Sequence, residues 1–198
     1  MKRYIFIGLL AALICSVSVN GVFADLSDGL VAYYPFNGST DDASGNGLHG
    51  TLVEGDFTEN RFGEENSALS AGFVEVSDDA RLDFTDAFTL SAWLKLEEVV
   101  SAFNCWIGKD YTTAFACGIG SGGSGECPAG DEINRIMRLY IGDVSTSFMD
   151  GTDFSCGTDT WYHVVVTFDD ESDTAQLYVN GSLDDTVAIS GTVTPNDY

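Results

Sequence analysis

Three groups of residues carry side chains and spacings that could do chemistry. Glu54-Gly-Asp56-Phe-Thr-Glu59 places two carboxylates on one side of an extended strand. A retaining glycosidase draws its nucleophile and its acid from such a pair, provided the carboxyl groups sit about 5 Å apart on a rigid support. Gly55 and Thr58 fall where that support would need apolar residues facing a core, so catalysis by Glu54, Asp56 or Glu59 is not expected. Asp41-Asp42-Ala-Ser44-Gly-Asn46-Gly gathers oxygen donors in one tight turn. A hard cation such as Ca²⁺ takes six to eight oxygens, while an ordinary Asx turn uses the same residues without a metal. The spacing is not that of the twelve-residue helix-flanked calcium loop, whose terminal Glu is missing. Neither histidine completes a catalytic group: His163 lies in an apolar run and reads as a hydrogen-bonded core residue.

The third group is the cysteines, and their chemistry depends on compartment. Residues 1–24 combine Lys2 and Arg3, an apolar run over 5–14 and Val22-Phe23-Ala24, the pattern of an export signal cleaved after Ala24. The apolar run is shorter than the roughly 20 residues a membrane span requires, and bulky Ile14 before Cys15 argues against lipidation. Export leaves Cys105, Cys117, Cys127 and Cys156, an even number, and predicts two disulfides. A local closure of Cys117 with Cys127 would leave Cys105 for Cys156, but three connectivities are open. A thiolate nucleophile conflicts with such pairing. Zinc is disfavoured because no Cys-x-x-Cys exists and His49 and His163 are far away in sequence.

Charge narrows the partners. The chain has 31 acidic and 8 basic residues, a formal net charge of −23, and residues 1–24 contain two of the basic residues and none of the acids. With no basic stripe to neutralise phosphates, nucleic acid is excluded as a partner, as is an anionic membrane surface. The acids occur as short Asp-rich turns rather than one block, which suits solvated loops.

These groups must be positioned by strands. Phe88, Leu90, Ala92, Leu94 and Leu96 alternate with Thr89, Ser91, Trp93 and Lys95, the period of a half-buried strand. From Trp161 to Phe168 the residues are apolar almost throughout, as in a strand buried on both faces, and Asn180-Gly181 supplies a two-residue hairpin turn. Strands are predicted over 30–36, 50–53, 73–76, 88–96, 105–108, 114–119, 135–142, 145–148, 161–168, 175–179 and 182–189, with no helix. The expected architecture is all-β, a two-sheet antiparallel β-sandwich. Residues 25–198 form one domain without internal repeats.

Four landmarks, in order and spaced across nearly all of 25–198, give the chain a family resemblance. They are Leu30-Val-Ala-Tyr-Tyr-Pro-Phe-Asn-Gly38 with Asp42-Ala-Ser-Gly-Asn-Gly47 and Gly50; Phe62-Gly63 and Ala68-Leu69 before Phe73-Val-Glu-Val76; Phe88-Thr-Leu-Ser-Ala-Trp93; and Trp161-Tyr-His-Val-Val-Val-Thr-Phe-Asp169 with Leu177-Tyr-Val-Asn-Gly181. The chain resembles a laminin-G-like domain of the concanavalin A-like lectin/glucanase superfamily, in its pentraxin-like bacterial branch. The resemblance implies a jelly roll. It implies a structural Ca²⁺ near the Asp-rich turn, with Asp42 and Asn46 as its carried-over ligands. It makes 54–59 a variable connection, whereas glucanases of the superfamily carry a Glu-x-Asp-x-x-Glu cleft strand. Domains similar to this one continue past the position of Pro195 with further strands, so the chain is expected to lack its last strands and to belong to a longer polypeptide.

Sugar binding requires exposed rings beside planar polar groups. Tyr111 and Phe154, both in loops, are the candidate ligand-binding residues, while Trp93 and Trp161 read as core or inter-sheet residues and Trp106 fits either role. The function expected is a secreted, non-catalytic recognition module that binds carbohydrate. A calcium-stabilised domain for protein adhesion or surface assembly is the alternative, and a glycoside hydrolase or polysaccharide lyase is the least expected. The partner is a glycan or an extracellular protein.

Overall fold

The computed structural model describes residues 25, 27–96, 103–109, 114–121, 135–142, 144–148 and 159–189. The chain divides into two compact units, Met1–Leu30 and Val31–Tyr198. In the first, Asp25 caps a turn by accepting the Ser27 N–H at 3.0 Å. The proposed signal residues 1–24 lie outside the described residues.

The second unit is built from ten strands: β1 (Gly50–Thr58), β2 (Ala68–Val76), β3 (Ala87–Lys95), β4 (Asn104–Gly108), β5 (Phe115–Ser121), β6 (Arg135–Ile141), β7 (Val144–Ser147), β8 (Trp161–Asp169), β9 (Thr174–Val179) and β10 (Ser182–Ala188). A 3-10 turn, Ala80–Leu82, is the one helical element among the described residues, where no helix is long and apolar enough to cross a membrane. The strands form antiparallel sheets in the orders β10-β9-β8-β3 and β4-β5-β6-β7, and β1 and β2 pair as a separate hairpin.

Alternation in the strands decides what the sheets enclose. Phe88 and Leu90 of β3, Val164, Val166 and Phe168 of β8, and Ala175 and Leu177 of β9 point inward from one sheet. Cys117 and Ile119 of β5 and Met137, Leu139 and Ile141 of β6 meet them from the other, with Phe148 beyond β7. Phe88 lies 5.2 Å from Phe115 and 5.4 Å from Phe168, centre to centre, so aromatic contacts join the layers. Asn180 and Gly181, at φ 51° and 83°, make the β9–β10 turn foreseen from their types.

Three expectations need correction. Residues 30–36 are not a strand: Tyr33 donates its N–H to the Asp42 carboxylate and Phe36 has φ 55°, so no ladder can form there. β8 is fully buried on one face only, since Val164, Val166 and Phe168 are buried while Tyr162, His163, Val165 and Thr167 stay partly open. Residues 54–58 are strand rather than connection, and Gly55 has a backbone reason for being glycine. With φ at 103°, it faces Gly72 across the hairpin, where a Cβ added to Gly72 would stand 1.7 Å from the Glu54 carbonyl oxygen.

Candidate functional site

The outward residues of β3 and β8 bring aromatic, basic and hydroxyl side chains onto one surface. Trp93 pairs with His163, Lys95 with Trp161, and Ser91 with Val165 in the antiparallel register. The Trp93 and His163 rings stack at 5.1 Å with an interplanar angle of 27°. His163 Nε2 is 3.1 Å from Ser91 Oγ, which fixes the ring over the sheet. Its backbone is held as well, for Asn180 Oδ1 accepts the His163 N–H at 3.0 Å and the Asn180 N–H donates to the His163 carbonyl at 2.8 Å. Lys95 lies 5.5 Å over Trp161. The adjoining row is Ser91, Val165, Tyr178 and Leu183, and Leu183 is 56 % exposed.

The loop between β1 and β2 adds Arg61 and Phe62. Asn60 builds it: its side-chain oxygen accepts the N–H groups of Phe62 at 2.8 Å and Glu64 at 3.1 Å, and its amide donates to Glu64 Oε2 at 2.8 Å. Main-chain bonds from Asn60 to Glu64 and from Gly63 back to Asn60 close the turn. The loop so formed places the Arg61 guanidinium 4.1 Å from the Phe62 ring centre and 4.2 Å from that of Trp93. Phe62 is 70 % exposed and Trp93 41 %. Two aromatic surfaces, a guanidinium, an imidazole and a hydroxyl thus share one open patch, the combination that receives a ring with one apolar face and a polar rim.

This patch escaped the sequence reading. Trp93 was expected to be a core or inter-sheet residue and stands on the outer face, where its alternation with Leu90, Ala92 and Leu94 puts it. His163 was expected to be a core histidine and is hydrogen-bonded on the same open face. The signal for both was the period-two pattern; the signal for Arg61, an Asx-type loop, did not say which surface the loop would cover. Trp106 is on the interior side, packed against the core with its indole N–H 3.4 Å from Met137 Sδ. Tyr111 and Phe154 lie outside the described residues.

Asp42 is 6 % exposed, and its two oxygens meet four donors. Oδ1 accepts the N–H groups of Tyr33 and Ser44 at 3.0 and 2.8 Å, and Oδ2 accepts the Leu48 N–H at 3.0 Å and the Ser44 hydroxyl at 2.8 Å. Burial opposes its ionisation, but these bonds outweigh it and hold the carboxyl well below the usual carboxylate range. A carboxylate has about four acceptor sites, so protein donors fill them here. Asn46 donates from Nδ2 to the Val31 carbonyl at 2.9 Å, while its main-chain carbonyl accepts from Arg81 Nη1 at 2.7 Å. Arg81 in turn grips Asp79 with two side-chain bonds of 2.7 Å. The turn is thereby an internally satisfied anchor, and no group of three or more His, Cys, Asp or Glu among the described residues is gathered as a metal site.

Glu54 and Asp56 are exposed on β1, and its register against β2 shifts on both sides of Glu54. The two disulfides expected from the cysteines are not shown. Cys105 and Cys117 are free thiols, and Cys127 and Cys156 lie outside the described residues. Cys117 is fully buried beside Met137 Sδ, and this burial pushes its thiol far up.

A family model described as the concanavalin A-like lectin/glucanases superfamily matches residues 69–198. No curated protein gives a significant match. Among solved structures, domain 4 of AbnA, a GH43 extracellular arabinanase from Geobacillus stearothermophilus in complex with arabinotriose, aligns with a TM-score of 0.52 and 18 % identity, over 85 % of this chain and 78 % of that one. The binding domain of Botulinum Neurotoxin DC in complex with SialylT aligns with a TM-score of 0.53 and 16 % identity, over 85 % of this chain and 42 % of that one. At these identities the similarity is one of fold.

Proposed function

This chain belongs to the concanavalin A-like lectin/glucanases superfamily, and from that premise we propose that it is a non-catalytic carbohydrate-binding module of an extracellular protein. The observation that carries the proposal is the exposed indole of Trp93, framed by Arg61, His163 and Ser91 on the open face of the β10-β9-β8-β3 sheet. A pyranose or furanose ring has an apolar face that covers an aromatic ring and hydroxyls that exchange hydrogen bonds with groups at its rim. Paired strands β3 and β8 hold Trp93, Ser91 and His163, which fixes their geometry, while the β1–β2 loop supplies Arg61. Both structural neighbours were solved with a saccharide bound, which adds weight to a glycan over a protein ligand. Tyr111 and Phe154 remain candidates for further contacts. Placement outside the cell rests on the signal-like residues 1–24 and is part of the proposal, as is membership of a longer polypeptide. Asp42 has its acceptors filled, so the reading does not call on a cation at that turn.

The test is a glycan array probed with the wild-type chain and with Trp93→Ala. Saccharide binding that disappears in the variant, with the melting temperature retained, supports the proposal. Binding unaffected by the substitution removes the patch from the account, and no signal on any saccharide class removes the function.

A further inference from the structure

We infer that the Trp93 patch takes acidic sugars and that Arg61 is the group that reads their carboxylate, an inference that rests on the carbohydrate-binding reading above. The cations of this chain are few, and two whose partners are defined serve structure. Arg81 is engaged by Asp79, and Lys109 is 10 % exposed between Asp78 and Asp83. Arg61 differs. In a chain with 31 acids and 8 bases, it forms no ion pair or hydrogen bond to a carboxylate among the described residues. Glu59, Glu64 and Glu65 share its loop, yet Glu64 is held by the Asn60 amide and the guanidinium rests over Phe62 and Trp93 instead.

Resting there has a chemical consequence. Stacking uses the flat faces of a guanidinium and leaves its five N–H donors in the plane, directed outward as a fork. That fork matches a carboxylate, whose two oxygens accept parallel bonds, better than it matches isolated hydroxyls. Rings on both neighbours reduce the freedom Arg61 would lose on binding. The negative charge of the whole chain repels polyanions at long range, but salt screens this over about 8 Å at physiological ionic strength. Attraction is therefore confined to contact, which selects a single carboxylate attached to a ring that packs against the surface of Phe62 and Trp93 left exposed beside the guanidinium.

The experiment measures affinity for one oligouronate and for the same oligosaccharide after reduction of its carboxyl groups, using isothermal calorimetry on wild type, Arg61→Ala and Trp93→Ala. Wild type is expected to bind the acidic form tighter by on the order of tenfold, the lower end of a charge-assisted hydrogen bond. Arg61→Ala should lose that difference, and Trp93→Ala should lose affinity for both forms. Equal binding of both forms by wild type, or a preference that survives in Arg61→Ala, overturns the role of Arg61 and leaves the carbohydrate reading standing. Failure of wild type to bind either form, while it binds neutral glycans on an array, overturns the acidic-sugar class. Failure with every saccharide overturns both readings together.

Discussion

The guanidinium of Arg61 stands 4.2 Å from the ring centre of Trp93, although the first belongs to the β1–β2 loop and the second to β3 of the β10-β9-β8-β3 sheet. Their contact makes one patch out of two parts of the fold. A saccharide that engages Arg61 changes the surroundings of the indole, so ligand binding should be reported by the tryptophan itself. Saccharide addition is expected to change intrinsic fluorescence in wild type and to leave the signal of Trp93→Ala unchanged. The variant should melt within about 0.5 kcal/mol of wild type, as exposed positions usually do. A large loss of stability would place Trp93 in the core after all.

Phe88 supplies the contrast on the inner face of the same strand. It touches Phe84, Phe115 and Phe168 with centre separations of 5.6, 5.2 and 5.4 Å. Phe88→Ala should cost about 3–5 kcal/mol in chemical denaturation. A cost under about 1 kcal/mol would mean the two sheets do not meet there.

Asp42 predicts an acid limb of stability. Its folded carboxyl is depressed below the ordinary value, because four donors outweigh its burial. The unfolded state therefore takes up the proton first as pH falls. The stabilisation is fully present above the usual carboxylate range and is lost as pH drops through the depressed folded value. Asp42→Asn should lose about 1–3 kcal/mol at neutral pH and show a flatter decline in acid, read from thermal melts across pH.

The thiols give a direct chemical check. Without reductant, an alkylating reagent should label Cys105 in the folded protein and Cys117 only on unfolding, since Cys117 is buried and its thiol strongly disfavours ionisation. Peptide mapping that finds either residue in a disulfide would contradict the free state.

Gly72→Ala tests the hairpin, where the added methyl would overlap the Glu54 carbonyl. The expected result is a destabilised β1–β2 pair and weaker saccharide binding through the displaced Arg61 loop. Retained affinity would show that the loop does not depend on the hairpin's close approach.

How much of this could be read from the residues depends on how local the governing physics is. Period-two alternation located β3, an apolar run located β8, and Asn180-Gly181 fixed the turn between β9 and β10. The same rule placed Trp93 outward, but its size argued for the interior and the two signals conflicted. Residues 30–36 looked like a strand because Tyr33, Tyr34 and Phe36 favour one; the competing partner, the Asp42 carboxylate, lies nine residues from Tyr33 and took its donor. Arg61 was beyond reach for a different reason. Asn60 can be recognised as a turn former, but which surface the turn approaches follows from how the hairpin packs.

Among the described residues the β1–β2 hairpin shares no ladder with either four-stranded sheet, and this separateness has a dynamic consequence. Amide exchange in β1 and β2 should proceed by a local opening of lower free energy than exchange in the central β8, whose protection requires the sandwich to come apart. On warming, the hairpin would open before the sheet melts, leaving a temperature range in which Trp93 has lost Arg61 but still stands on an intact sheet.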